Sequence, residues 1–251
     1  MMKKVIALCL VALLSVLGCA ETLVFGTNPE FPPFEYVEVE GVVSGIDGAQ
    51  YDGIDMAIVA LIGEMLEVDV AIANLEFDSL LLALENGQID ATIAGMTITE
   101  ERKESVDFCI PYYTASQVMI VPVGSDIKCA ADMEGKVIAV VQGYTGEICV
   151  DEMGYKYESF KKGTECIMEL INGKCDVVVL DSATAQSYIA GFDNLMIVED
   201  EAAFGTEQYG IAVKKGNTEL LEKLNTCVQY LLDEGIIADL AKYYSELDLD
   251  D

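Results

Sequence analysis

Residues 81–92, LLALENGQIDAT, and residues 167–178, IMELINGKCDVV, spell the same structural phrase twice. Each begins with apolar residues at helical spacing, meets an Asn-Gly pair, passes through a short polar link containing Asp, and ends in a strand-like run. Local physics explains the pair at 86–87 and at 172–173. Glycine adopts the left-handed conformation that ends a helix and turns the chain toward the next strand. Two copies of one helix–cap–strand unit predict two lobes of similar construction rather than one continuous sheet.

Working outward from these units, strand-like and helix-like runs alternate along the chain, the pattern of an α/β fold with mainly parallel sheets. Strands are expected at residues 22–26, 68–72, 91–94, 118–123, 137–141, 177–180 and 209–213. Helices are expected at 55–66, 79–85, 166–171, 183–189 and 219–233. In open α/β sheets ligands bind beyond the carboxyl ends of the strands. That rule directs attention to residues 95–102 and 181–185, which follow the two units.

The bulk composition narrows the classes of function. A chain of 251 residues with 52% hydrophobic content can bury substantial cores. With 14 Lys plus Arg against 44 Asp plus Glu, the net charge of −30 lacks the basic stripes that nucleic-acid binding needs. The acidic surface reads first as a source of solubility, and second as an attraction for cationic ligands. There is no histidine and no C-x-x-C pair, which argues against a zinc site. Beyond Cys9 and Cys19, six cysteines remain at 109, 129, 149, 166, 175 and 227. Disulfides and free buried thiols are both open for them.

The amino terminus predicts export. Lys3 and Lys4 precede an apolar run over residues 5–16, too short to span a bilayer comfortably, and then Leu17, Gly18 and Cys19. This ending resembles a bacterial lipobox, which implies a signal peptide at residues 1–18 and lipidation of Cys19. The body of the protein would then be extracytoplasmic, held at the cell membrane by its acyl chains.

Three segments offer binding chemistry. AGMTITEER, residues 94–102, leaves a strand and opens a helix with Thr99 as N-cap. Free N–H groups at the helix start, the Thr97 hydroxyl and the Arg102 guanidinium suit a carboxylate, whereas the plainer reading is a capped helix with a surface arginine. Asp181 directly follows the strand-like run 177–180, where it either awaits a cationic partner or caps the next helix. The proline-rich TNPEFPPFEY, residues 27–36, cannot be regular helix or central strand, and its Phe31 can form an aromatic wall with Phe77. Phe34 reads as a core residue.

With these motifs in order, and with YDGIDMAIVALIG, KVIAVVQGYTGE and EQYGIAVKKGN beside them, nearly all of the mature chain resembles the polar amino-acid-binding family of extracellular solute-binding proteins. That group includes histidine, glutamine, lysine-arginine-ornithine and arginine binders. The resemblance implies a two-lobed periplasmic-binding-protein-like fold of type II, each lobe a mainly parallel sheet flanked by helices, joined by two hinge strands. Lobe 1 would comprise residues 19–112 and 206–251 and lobe 2 residues 113–205, with crossings near 113–117 and 203–208.

By the same resemblance, Arg102 binds the ligand α-carboxylate with help from Thr97 and Thr145, and Asp181 and the Gly95 carbonyl receive the α-amino group. Phe31 and Phe77 sandwich the ligand side chain. Tyr144 stands where a small residue is common, and Asn28 stands where several cation binders have Asp. The implied function is capture of a polar, basic amino acid by hinge closure, for an ABC permease and its ATPase. No cofactor or metal is implied, and the protein would act as a monomer. Two alternatives are an exported dehydratase-like enzyme on the same fold and a ligand-sensing domain. The absence of histidine and of a nucleophile–base pair weighs against the enzyme, and the end of the chain at Asp251 weighs against the sensor.

Overall fold

A computed structural model describes residues 22–247. The expected signal peptide and Cys19 lie outside the described residues. Both repeated units fold as their sequences require. Helix Leu80–Glu85 ends through Asn86 into Gly87, whose φ of 68° turns the chain toward strand Ala91–Thr92. Helix Gly163–Ile171 ends through Asn172 into Gly173, with φ of 67°, ahead of strand Val177–Asp181. The helix-closing bonds match as well. Gly87 and Gln88 donate to the carbonyls of Leu84 and Ala83, and Gly173 and Lys174 donate to those of Leu170 and Glu169. The linking aspartates also act alike, since Asp90 Oδ2 accepts from the Val24 N–H and Asp176 Oδ2 from the Val137 N–H, each at 2.8 Å. Each bond ties a link to the neighbouring strand.

Each unit belongs to its own five-stranded sheet, and the two sheets follow one plan. The first runs Asp69–Asn74, Thr22–Thr27, Ala91–Thr92, Ala212–Lys214, Val106–Phe108. The second runs Tyr157–Phe160, Ile138–Val141, Val177–Asp181, Gln117–Pro122, Leu195–Val198. In both, the first three strands are parallel, the fourth is reversed, and the fifth returns to the common direction. The fold is therefore two-lobed α/β with mainly parallel sheets.

The reversed strands have a common origin. Strands Tyr113–Ala115 and Glu207–Tyr209 pair antiparallel as a two-stranded ribbon, and each leads directly into the reversed strand of a sheet. Through this ribbon the chain leaves the first sheet and later returns to it. Expected strand 209–213 is thus two strands, interrupted at Gly210. A Cβ at Gly210 would meet the Ile98 side chain at 2.8 Å, so close packing explains the glycine there.

Helix Ile54–Leu66 packs against the carboxyl-terminal helices Thr218–Asp233 and Ile236–Ser245. The last of these is not among the helices expected from sequence. Gly235, at φ 71°, turns the chain after the preceding helix and starts the new one. Among the described residues no helix is long and apolar enough to cross a membrane. The six cysteines from Cys109 to Cys227 are all free thiols, with Cys109, Cys166, Cys175 and Cys227 buried. Burial pushes the thiols of Cys109, Cys166 and Cys175 up to about 12, where they behave as small apolar groups.

Candidate functional site

The first wall of the site grows from the turn between strand Ala91–Thr92 and helix Glu100–Ser105. Thr99 caps that helix, its hydroxyl accepting the Arg102 N–H at 3.1 Å. The cap sets Arg102 in the first turn and directs it inward. It is only 9% exposed, so the plain reading of a surface arginine is overturned. Its Nη1 donates to the Thr97 carbonyl at 2.8 Å, and its Nη2 donates across the cleft to the Gly143 carbonyl at 2.9 Å. The guanidinium carbon lies 5.3 Å from the centroid of the Phe77 ring.

QGYTGE builds the facing wall. Gly143, at φ 79°, donates its N–H to Glu147 Oε2 at 2.7 Å, and Glu147 Oε1 accepts from the Ser159 hydroxyl at 2.7 Å. This fixes the turn before helix Thr145–Glu152, with Tyr144 at its N-cap. The Tyr144 ring stands between Phe31 and Phe77, its centroid 5.4 Å from the first and 4.7 Å from the second, edge-on to both. Tyr144 thus contacts both of the rings that the sequence assigns to a ligand side chain. The Tyr144 hydroxyl is 3.5 Å from Asn28 Oδ1, and Asn28 Nδ2 donates to the Leu75 carbonyl at 3.1 Å.

Of the two roles open to Asp181, the structure does not show the helix cap. Asp181 holds the N-cap position of helix Ser182–Ile189, yet its side chain makes no capping bond. Instead Asp181 Oδ1 accepts from the buried Tyr209 hydroxyl at 2.6 Å. Burial, with the nearby charge of Glu207 second, pushes its carboxyl up to about 7. Thr145 Oγ1 lies close by, donating to Glu207 Oε2 at 2.7 Å and accepting from Gln117 Nε2 at 3.1 Å.

Gly95 is pinned from below. Its N–H donates to Asp55 Oδ2 at 2.8 Å, and a Cβ there would meet the Phe31 ring at 2.4 Å. The same Asp55 oxygen accepts from the Tyr112 hydroxyl at 2.9 Å. Glu35 is buried alongside Asp55.

Seven of the eight ligand-binding residues expected from sequence line one pocket: Phe31, Phe77, Gly95, Thr97, Arg102, Thr145 and Asp181, with Ala94 and Tyr144 added. Asn28 stands one step back, beside Tyr144. About 10 Å³ of free space remains inside, roughly one water's worth. A larger hollow of about 840 Å³, lined by residues such as Pro33, Gln186 and Lys242, contains none of these groups. The chemistry therefore favours the smaller pocket. No group of three or more His, Cys, Asp or Glu is placed to hold a metal among the described residues.

Sequence reasoning missed Tyr144's place between the two rings, the Asp55–Glu35 pair, and the partners Tyr209, Gln117 and Glu207. Asp55 carried a readable signal, since it shares a helical stripe with Ile58, Val59 and Ile62, all buried. The other partners join across long separations and left no local mark.

Comparison with known proteins identifies the family. The chain is 32% identical over 241 residues to ABC transporter arginine-binding protein 1 of Escherichia coli, covering 94% of this chain and 95% of that protein. It is 30% identical over 236 residues to an L-arginine-binding protein of Pseudomonas aeruginosa, covering 89% and 88%. Among solved structures, the arginine-, lysine-, histidine-binding protein ArtJ from Geobacillus stearothermophilus superposes with a TM-score of 0.81 at 32% identity, covering 89% of this chain and 95% of that one. With a family match running over residues 23–246, the chain belongs to the bacterial extracellular solute-binding proteins, family 3.

Proposed function

We propose that this protein captures a basic amino acid in the cleft by closing its lobes, and delivers it to an ABC permease and its ATPase without making or breaking a bond. One observation carries the reading: Arg102 and Asp181, of opposite charge, are both buried in a single pocket lined from both sheets, and neither forms an ion pair within 4 Å among the described residues. A zwitterion supplies an ion-pair partner to each at once. Arg102, with Thr97 and Thr145, would take the α-carboxylate, and Asp181 with the Gly95 carbonyl would take the α-ammonium. The aromatic rings of Phe31, Phe77 and Tyr144 suit a guanidinium or alkyl-ammonium chain, a contact worth roughly 0.5 to 2 kcal/mol. The arginine-binding names of the relatives support a cationic side chain. In this reading lobe 1 is residues 19–112 with 206–251, and lobe 2 is residues 113–205.

Calorimetric titration with arginine, lysine, histidine, glutamine, leucine and glutamate tests the proposal. Arginine or lysine should bind tightest. Tightest binding of leucine or glutamate would overturn the side-chain assignment, and binding of none would overturn capture of amino acids.

The position of Asp181 adds a pH dependence. Below about 7 its carboxyl carries a proton that the incoming ammonium must displace. Affinity for arginine should therefore fall as pH drops from 8 to 5, by at most about tenfold per unit. Asp181→Asn should bind more weakly at pH 8 and show a flatter profile, and a parallel profile in the variant would remove Asp181 from the ammonium site.

We further propose that the protein acts outside the cytoplasm as a monomer, tethered by acyl chains on Cys19 after loss of residues 1–18. Cys19→Ala should move it from the membrane fraction to a soluble or unprocessed form. Continued partitioning of the variant into detergent would refute the anchor.

A further inference from the structure

Glu207 opens the return strand Glu207–Tyr209, in the ribbon that joins the two sheets. Its Oε2 accepts from Thr97 Oγ1 at 2.8 Å and from Thr145 Oγ1 at 2.7 Å. Gln117 Nε2 lies 3.5 Å from the same oxygen. The two hydroxyls come from opposite walls of the cleft: Thr97 precedes the Arg102 helix, and Thr145 begins the helix after Tyr144. A carboxylate of the protein thus sits on the two hydroxyls assigned above to the carboxylate of the ligand. A threonine hydroxyl has one proton to donate, so neither can serve both carboxylates at once. Two carboxylates crowded at one pair of donors also repel each other.

We propose that Glu207 is a further affinity-determining residue of the site, an internal carboxylate that holds the ligand's seat and bridges the lobes, and that yields both hydroxyls when an amino acid binds. The inference rests on the amino-acid reading of the cleft. Its consequence is opposite to that of a plain structural brace. A brace would keep its bonds in the bound state, so its removal would weaken binding. A competitor lost from the seat strengthens binding, because the ligand no longer displaces a charged group or sits beside one.

The test compares wild type with Glu207→Gln, which keeps the side chain's size and removes its charge, and with Glu207→Ala, which removes the acceptor altogether. Arginine titrated at pH 8 into each folded protein should bind about tenfold tighter to Glu207→Gln. Equal or weaker binding overturns the proposal. Small-angle scattering without added amino acid supplies the second readout: Glu207→Ala should have a larger radius of gyration than wild type, and arginine should bring both to the same compact value. Identical scattering of the two without arginine overturns the bridge. If wild type binds no amino acid, the reading of the cleft fails, and the scattering comparison alone decides the role of Glu207.

Discussion

Arg102→Ala is expected to weaken arginine binding by about 3 to 5 kcal/mol, roughly 150- to 5,000-fold in Kd, while the protein still folds. The size follows from burial. Arg102 is only 9% exposed, so a ligand carboxylate bound there without its guanidinium would be left buried without its counter-charge. The variant also loses the bond from Nη2 to the Gly143 carbonyl, which crosses between the walls, and the one from Nη1 to the Thr97 carbonyl. Arg102→Lys separates charge from shape. It keeps a cation but loses the planar fork that reaches two acceptors at once, so it should recover only part of the affinity. Calorimetry on both variants, with thermal unfolding to confirm the fold, checks the expectation. Unchanged affinity in a folded Arg102→Ala would remove the residue from the carboxylate site.

Why Arg102 could be read from sequence, and Glu207 could not, is a matter of range. The cap at Thr99, the first-turn position of Arg102 and the strand before them occupy a dozen residues, and local rules are enough to assemble them. The same holds for the Asn-Gly units, whose glycines at φ 68° and 67° are required by the turn itself. The Glu207 carboxylate meets Thr97 110 residues away and Thr145 62 residues away, and EQY reads as an ordinary polar strand until the ribbon places it in the cleft. Tyr144 shows the same limit in a different way. Its identity was visible, but that its ring would stand between Phe31 and Phe77 depends on how the two lobes meet. Asp181 lies between these cases: its place at a strand end was legible, while the choice between cap and pocket turned on the distant Tyr209 hydroxyl.

Asp55→Asn is expected to flatten the pH dependence of folding stability, because Asp55 and Glu35 form a buried acidic pair beneath the site. Asp55 Oδ2 is occupied by the Gly95 N–H and the Tyr112 hydroxyl, whereas Asp55 Oδ1 and both oxygens of Glu35 have no donor from another group. Two adjacent carboxyls in that setting are stable only with a proton held between them. Burial, and then the charge of Asp55, pushes Glu35 well above the usual carboxylate range. Burial pushes Asp55 up to about 7 against the opposing bonds from Gly95 and Tyr112. The unfolded chain releases these protons near pH 4, so above about 4 the folded state binds more of them, in the case of Asp55 up to about 7. Stability therefore falls as pH rises above about 4, by at most about 1.4 kcal/mol per unit for each group, and the contribution of Asp55 levels off above about 7. The surface carboxylates behind the net charge of −30 add a decline of the same sign through self-repulsion, which the substitution changes little. The difference between the two proteins is therefore the diagnostic quantity. An amide at position 55 stays neutral and can still accept from Gly95 and Tyr112, so the drop in unfolding midpoint from pH 5 to pH 8 should be smaller in Asp55→Asn than in wild type. An equal drop would show that Asp55 is not the titrating group. Asp55→Ala should instead destabilise at every pH, since it leaves the Gly95 N–H and the Tyr112 hydroxyl buried without an acceptor at about 1 to 3 kcal/mol each. It should also weaken ligand binding, because the backbone at Gly95 would lose the bond that fixes it against the Phe31 ring.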